Sequence, residues 1–145
     1  MLLAAVALLA ACGDSKKPAA GPQLSHADYV RQADAACQRA DAALASLPQP
    51  AGVAQLPSYA KQAADIVAAE RQELQALQPP DADRAKAGQL GSAMDDVANA
   101  AEGLIAVAGD GNVQDIEAYV SRNRGADAKA KQLAKELGMT ICAKP

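Results

Sequence analysis

Ser25-His26-Ala27-Asp28-Tyr29-Val30-Arg31-Gln32-Ala33-Asp34-Ala35-Ala36-Cys37 reads as the opening of an amphipathic helix. Ser25 is a good N-cap, and Asp28 stands three positions on, the spacing of a capping box. Tyr29, Ala33 and Cys37, continued by Ala40, Leu44 and Leu47, fall on one helical face. Pro48 and Pro50 then stop the helix, because proline cannot donate the backbone bond that would continue it.

Three further segments downstream have the same construction. A second helix is expected over about 57–76, with the stripe Tyr59, Ala63, Ile66, Val67, Leu74 and Leu77 and a stop at Pro79-Pro80. A third begins after Asp81 as N-cap, carries Leu90, Met94, Val97, Ala101, Leu104 and Ile105, and ends at Gly109-Asp110-Gly111. A fourth begins at Asn112, buries Ile116, Val120, Ala126, Ala130, Leu133 and Leu137, and places Gly138 at the C′ position, where glycine is favoured. None of the eight prolines falls inside a proposed helix.

Composition agrees with this segmentation. Alanine, the best helix former, supplies 38 of the 145 residues, while Phe and Trp are absent and tyrosine occurs only at positions 29, 59 and 119. The fold class is therefore all-α. Short connections make antiparallel neighbours, so the expected architecture is an up-down-up-down four-helix bundle over 25–145. Alanine-rich faces make a thin core, with axes near the short end of the usual range, about 8 Å. The net charge of −3, with no basic stripe and no aromatic platform, argues against nucleic acid as a partner.

Residues 1–11 are wholly apolar and end at Leu9-Ala10-Ala11-Cys12. The run is shorter than the roughly 20 residues of a membrane-spanning helix. It has the length and small-residue ending of a signal-peptide core. Leu9-Ala10-Ala11-Cys12 resembles a lipobox, the cleavage signal of bacterial lipoproteins. The resemblance implies cleavage before Cys12 and lipidation of its thiol, with palmitate-class chains; two or more chains anchor stably where one is marginal. Such a signal normally opens with Lys or Arg, and 1–11 has neither, which points to an upstream start or a truncated sequence. The competing reading, a buried apolar helix, fits poorly with Cys12 and with the polar stretch that follows at once. Residues 12–24 form the lipid-bearing position and a Pro/Gly-punctuated tether, and 12 such residues reach roughly 20 Å.

Three cysteines leave an odd thiol in an oxidising compartment. With Cys12 acylated, Cys37 and Cys142 remain as a pair. Closing a loop of that length stabilises by up to ~4.7 kcal/mol in the chain-entropy model. The alternative is two unrelated buried thiols, which export disfavours. Cys37 lies roughly 17 Å along the first helix, and the tail from Gly138 covers ~13 Å when extended. The pair is reachable if the tail folds back along the first helix, with Ile141 as a lid.

The segments Tyr29-Val30-Arg31-Gln32-Ala33-Asp34-Ala35-Ala36-Cys37, Leu74-Gln75-Ala76-Leu77-Gln78-Pro79-Pro80 and Leu137-Gly138-Met139-Thr140-Ile141-Cys142 are similar to those of a family of small Ala-rich lipoproteins of high-GC, actinobacteria-type bacteria. The resemblance spans most of the chain beyond the tether. It implies a helical bundle and a disulfide, and leaves the ligand open.

Few residues suggest chemistry. The lone His26 has no nucleophile or orienting partner in its vicinity of the sequence, so a satisfied or exposed side chain is the simpler reading. With one histidine and no Glu-x-x-His pair, metallo-bundle and haem sites are not expected. Asp95, Asn99 and Glu102, with Asp96, offer oxygens for a Ca²⁺-type ion, but they sit one position off the apolar stripe and read as its solvated flank. Glu70 falls within the stripe of the second helix and Asn123 within that of the fourth. Each is expected to make a buried polar contact: Glu70 with Arg31, Arg39, Arg122 or Arg124, or with Asn123. The alternative is a polar spot in a ligand cavity. Gly88, Gly91 and Gly103 each cost about 1 kcal/mol of helix propensity against Ala, which calls for close approach of a neighbour or marks a weak turn.

The expectation is a cell-membrane lipoprotein on the extracytoplasmic face, non-enzymatic and without a cofactor or metal. It would have an interaction or envelope-associated role, or alternatively bind a small ligand inside the bundle. A pocket above ~300 Å³ favours the ligand, and a contiguous exposed apolar patch favours the partner protein.

Overall fold

The computed structural model describes residues 22–144; the Cys12 lipidation site and the signal segment 1–11 lie outside them. Four α-helices follow in order: α1 His26–Ser46, α2 Leu56–Ala76, α3 Arg84–Gly109 and α4 Val113–Glu136, with a 3-10 turn at Val53–Gln55 ahead of α2. No strand occurs among the described residues. Helices adjacent in sequence pack together: α1 on α2, α2 on α3 and α3 on α4.

The ends of the helices are set by local chemistry. Ser25 Oγ accepts the Asp28 N–H at 3.1 Å and donates to the Asp28 carboxylate at 2.7 Å. Asn112 caps α4 by accepting the Gln114 N–H at 3.0 Å. Gly138, at φ +83, lets α4 end in a Schellman turn: its N–H donates to Lys135 O and that of Met139 to Ala134 O, both at 3.0 Å. The start of α3 departs from expectation. Asp81 does not cap it; its carboxylate takes Arg84 and Gln23 instead. Residues 81–83 form a turn, and α3 begins at Arg84.

The core is thin and unevenly placed. Tyr29 and Ala33 of α1, Leu90, Ala93 and Met94 of α3, and Ala130, Leu133 and Ala134 of α4 form one buried cluster, completed by Leu137 and Met139. Toward the other end, Leu44, Ile66, Leu104 and Ile116 are only half-buried. Val120, expected in the core, is 41 % exposed. The amino-terminal half of α4 has α3 on one side and no packed α1 on the other.

The chain after α4 supplies the missing contact with α1. Cys37 and Cys142 form a disulfide with a Cα–Cα distance of 5.2 Å, across a separation of 105 residues. One turn before Cys37, the Asp34 carboxylate accepts the N–H groups of Thr140, Ile141 and Cys142 at 2.8–3.1 Å, together with the Thr140 hydroxyl at 2.9 Å. Burial pushes the Asp34 carboxyl up, but these donors outweigh it and hold it below the usual carboxylate value. Met139, 2 % exposed, is the tail residue that enters the core; Ile141, expected as the lid, is half-buried outside the cluster. The Schellman turn fixes this, because it aims position C″ back at the helix it ends.

Two predictions follow from this packing. Asp34→Ala should lower the melting temperature and speed reduction of the disulfide by dithiothreitol. In the native protein, the Asp34 contribution is present above about pH 4, the ordinary carboxylate value, and is lost as pH falls through its lower folded-state pKa. An unchanged reduction rate in the variant would show that the carboxylate does not hold the tail. The glycines of α3 should behave oppositely to one another. A Cβ at Gly103 would collide with the Tyr119 hydroxyl, which donates to Ala100 O at 3.1 Å, whereas Gly88 and Gly91 face open space. Gly103→Ala should destabilise by about 1–3 kcal/mol through overpacking. Gly88→Ala and Gly91→Ala should each stabilise by about 1 kcal/mol through helix propensity; thermal melts give the signs directly.

Candidate functional site

A cavity of about 360 Å³ opens where the end of α2, the 77–80 connection and the first turns of α3 meet α1. Its floor is apolar, formed by Tyr29, Leu74, Leu77, Leu90 and Met94. Its polar lining residues are Arg71, Gln75, Arg84, Ser92 and Asp95. The α3 wall is lowered at Gly88 and Gly91, each of which faces open space. These two glycines lie three residues apart, on one helical face. Propensity is given up here without any close approach of a neighbour, unlike at Gly103.

The charged groups of the wall are drawn into pairs. Arg71 Nε lies 2.5 Å from Asp95 Oδ1, and Asp95 also accepts the Gln75 amide at 3.2 Å. The Arg71–Asp95 contact is ionic; its geometry is not that of a hydrogen bond, and the buried Arg71 Nε–H has no acceptor among the described residues. Arg84 pairs with Asp81, outside the cavity. The lining thus holds two guanidinium groups and one carboxylate.

The chain that leads in from the tether is fastened beside this opening. Leu24 N–H donates to Gln78 O at 2.9 Å, and the Gln23 amide donates to Asp81 Oδ1 at 2.8 Å. His26 Nδ1 sits 2.6 Å from Asp83 Oδ2, joining the start of α1 to the start of α3; His26 itself is 59 % exposed. Two other hollows of similar volume are less complete. One is walled only by α3 and α4, and the other lies between α1 and α2, where the Arg39–Glu73 ion pair spans it.

The residues expected to make buried polar contacts are not brought together. Asn123 is half-buried and donates to Tyr119 O, within its own helix, at 2.9 Å. Glu70 is also half-buried, as its place in the stripe implies, but the expected arginine contact is not made. Arg39 binds Glu73 instead, Arg31 binds Asp28, and Arg122 and Arg124 are exposed. Burial raises the Glu70 pKa to about 7, helped by the nearby charges of Asp41, Asp127 and Glu73. Of the acidic flank, Asp95 is taken up by Arg71 and Gln75, while Asp96, Asn99 and Glu102 are exposed. The cavity itself was not apparent from the residues; its one legible sign was the spacing of Gly88 and Gly91.

Glu70 gives a pH prediction. Its folded-state pKa of about 7 lies above the ordinary value near 4.5, so the folded state binds the proton more tightly than the unfolded state. Stability should therefore fall as pH rises from about 4.5 to about 7. Glu70→Gln should raise the melting temperature at pH 8 and leave it nearly unchanged at pH 4. Equal shifts at both pH values would mean that the carboxylate is not strained by burial.

No family model, curated protein or solved structure matches the chain.

Proposed function

We propose that this chain is a membrane-anchored lipoprotein of the extracytoplasmic face, non-enzymatic, whose folded domain holds a small ligand in the cavity between α1, α2 and α3. The carrying observation is the Cys37–Cys142 disulfide. Of three cysteines it consumes two, and leaves Cys12, at the end of the apolar segment, as the one thiol for a lipid. A disulfide belongs to an oxidising compartment, where an exported protein resides. The cavity exceeds the ~300 Å³ at which small-molecule sites begin. Its charged groups engage one another, which suits holding a ligand better than transferring protons.

The same reading gives the helices an up-down-up-down antiparallel arrangement. Ties that run in opposite senses along the chain support it: Lys86 with Glu136 and Ala100 with Tyr119 across α3 and α4, at nearly constant sums of position, and Arg39 with Glu73 across α1 and α2, with Leu24 and Gln78 meeting just beyond their ends.

A second reading, an envelope-associated domain that docks a protein, is favoured by an apolar cleft of about 220 Å³ between α3 and α4, where Leu104 and Val120 lie.

The anchor is tested by the intact mass of protein extracted from membranes of a lipoprotein-processing host. The mass should show loss of residues 1–11 and the addition of acyl chains on Cys12, and Cys12→Ala should abolish both. A water-soluble product that retains Met1 would overturn the anchor. Thiol titration of the denatured, unreduced protein should find neither Cys37 nor Cys142 free.

A further inference from the structure

We propose that the cavity takes one aliphatic carboxylate, its hydrocarbon on the floor of Tyr29, Leu74, Leu77, Leu90 and Met94 and its charged head at Arg71. The proposal deepens the ligand-binding reading above, and the arrival of the ligand from a membrane rests on the lipid anchor; binding in the cavity does not.

Three features of the cavity select this chemistry. First, the lining differs in depth. Its apolar side chains Tyr29, Leu90 and Met94 are buried, at 3 %, 4 % and 8 % exposure, whereas Gln75 and Arg84 are exposed and Arg71 and Asp95 half-buried. A ligand that is polar throughout would lose its hydration against that floor, and one that is apolar throughout would leave the guanidinium groups facing hydrocarbon. An amphiphile meets both conditions.

Second, the donors of the lining favour an anion. The charges are balanced, Arg71 by Asp95 and Arg84 by Asp81, but Arg71 makes no aligned hydrogen bond among the described residues. Its buried Nε–H lacks an acceptor, although Asp95 lies close by. A carboxylate oxygen is the acceptor such a donor prefers, and the flat guanidinium can receive a carboxylate through two parallel bonds. A cationic amphiphile would find the one carboxylate of the lining, Asp95, already taken by Arg71.

Third, the site is built at a cost to the helix that forms it. Gly88 and Gly91 forgo about 1 kcal/mol each of helix propensity, and nothing in the folded chain lies within 4 Å of where their side chains would be. Larger side chains there would fill the cavity. The fastening of Gln23 and Leu24 to residues 78–81 puts the domain end of the tether at the rim, since Leu77 and Pro79 belong to the lining. A lipid on Cys12, eleven residues before Gln23 in the chain, would keep this opening near a bilayer, where aliphatic carboxylates concentrate.

The test uses the full chain in two forms: lipidated protein from membranes in phosphatidylcholine nanodiscs, and the Cys12→Ala variant in solution. With methyl-labelled methionine, decanoate should shift the Met94 resonance in both forms and leave that of Met139, which is outside the lining, in place. Decyltrimethylammonium and acetate, at equal concentration, should not shift it. Arg71→Gln should weaken decanoate binding about tenfold or more, the loss of one charge-assisted bond. Gly91→Leu should abolish the shift while thermal melting shows a folded protein; Gly88→Met provides the same check if Gly91→Leu does not fold. Acetate or the ammonium amphiphile shifting Met94 as strongly as decanoate, unchanged binding in Arg71→Gln, or unchanged binding in both glycine variants would each overturn the proposal. Absence of lipid on Cys12 with the Met94 shift intact would remove the anchor and leave the carboxylate site standing.

Discussion

The Asp34 carboxylate, receiving the N–H groups of Thr140, Ile141 and Cys142, ties the last residues of the chain to its first helix. Beside that tie, α1 is held by its packing on α2, by Tyr29 and Ala33 in the shared core and by the disulfide. The packed pairs run in sequence order, and α1 with α4 is not among the main ones. Contacts close in sequence form readily, but they leave the two ends of the chain unjoined. The Asp34 bonds and the Cys37–Cys142 disulfide join them side by side, and Met139 is carried into the core between them. A covalent bond restricts the unfolded chain; a carboxylate with several donors fixes the geometry of the folded one. Both act on the same turn of α1.

This arrangement suits a core built mostly of alanine. Each buried alanine removes little apolar area from water, and area is what drives burial, at roughly 25 cal/mol per Å². The larger side chains that become buried, Tyr29, Leu90, Met94, Leu133, Leu137 and Met139, gather at the end where the tail is latched. The opposite end keeps Leu104 and Ile116 half-buried and leaves Val53, Val113 and Val120 exposed. The molecule therefore has a firm end and a loose one. Hydrogen exchange should begin at the loose end, where apolar contacts are fewest.

Legibility in the sequence followed the range of the interaction. The Ser25 and Asn112 caps, the proline stops and the Gly138 turn are local, and all were readable from neighbouring residues. The cysteine pair was readable from counting. What failed needed partners distant in the chain. Asp81 looked like a cap, but Gln23 and Arg84 claim its carboxylate. Val120 matched a helical stripe, but no helix covers it. Glu70 is half-buried, yet Arg39, one of the arginines expected to reach it, is held by Glu73, one turn further along α2. Periodicity tells which face a residue occupies and cannot say which of two carboxylates on that face an arginine will choose.

The cavity shows why a thin-cored protein can still make a hollow of useful size. Helices lined with alanine approach closely, near 8 Å between axes, so space does not come from holding them apart. It has to come from leaving side chains out of one wall while long ones span the gap. Gly88 and Gly91 leave them out, and Arg71, reaching from α2 to Asp95 on α3, spans it. Gly103, fifteen and twelve positions further along the same helix, shows the opposite use of the residue, since there the Tyr119 hydroxyl fills the place of the missing Cβ. Only the occupant distinguishes the two cases. At Gly103 it is part of the chain; at Gly88 and Gly91 the chain supplies none, and the helix keeps a cost that Ala would have removed. Gly125 of α4 also meets nothing within 4 Å and lines none of the hollows described above, so an open glycine alone does not make a hollow; Gly88 and Gly91 shape one because they share a helical face and a lining with Arg71.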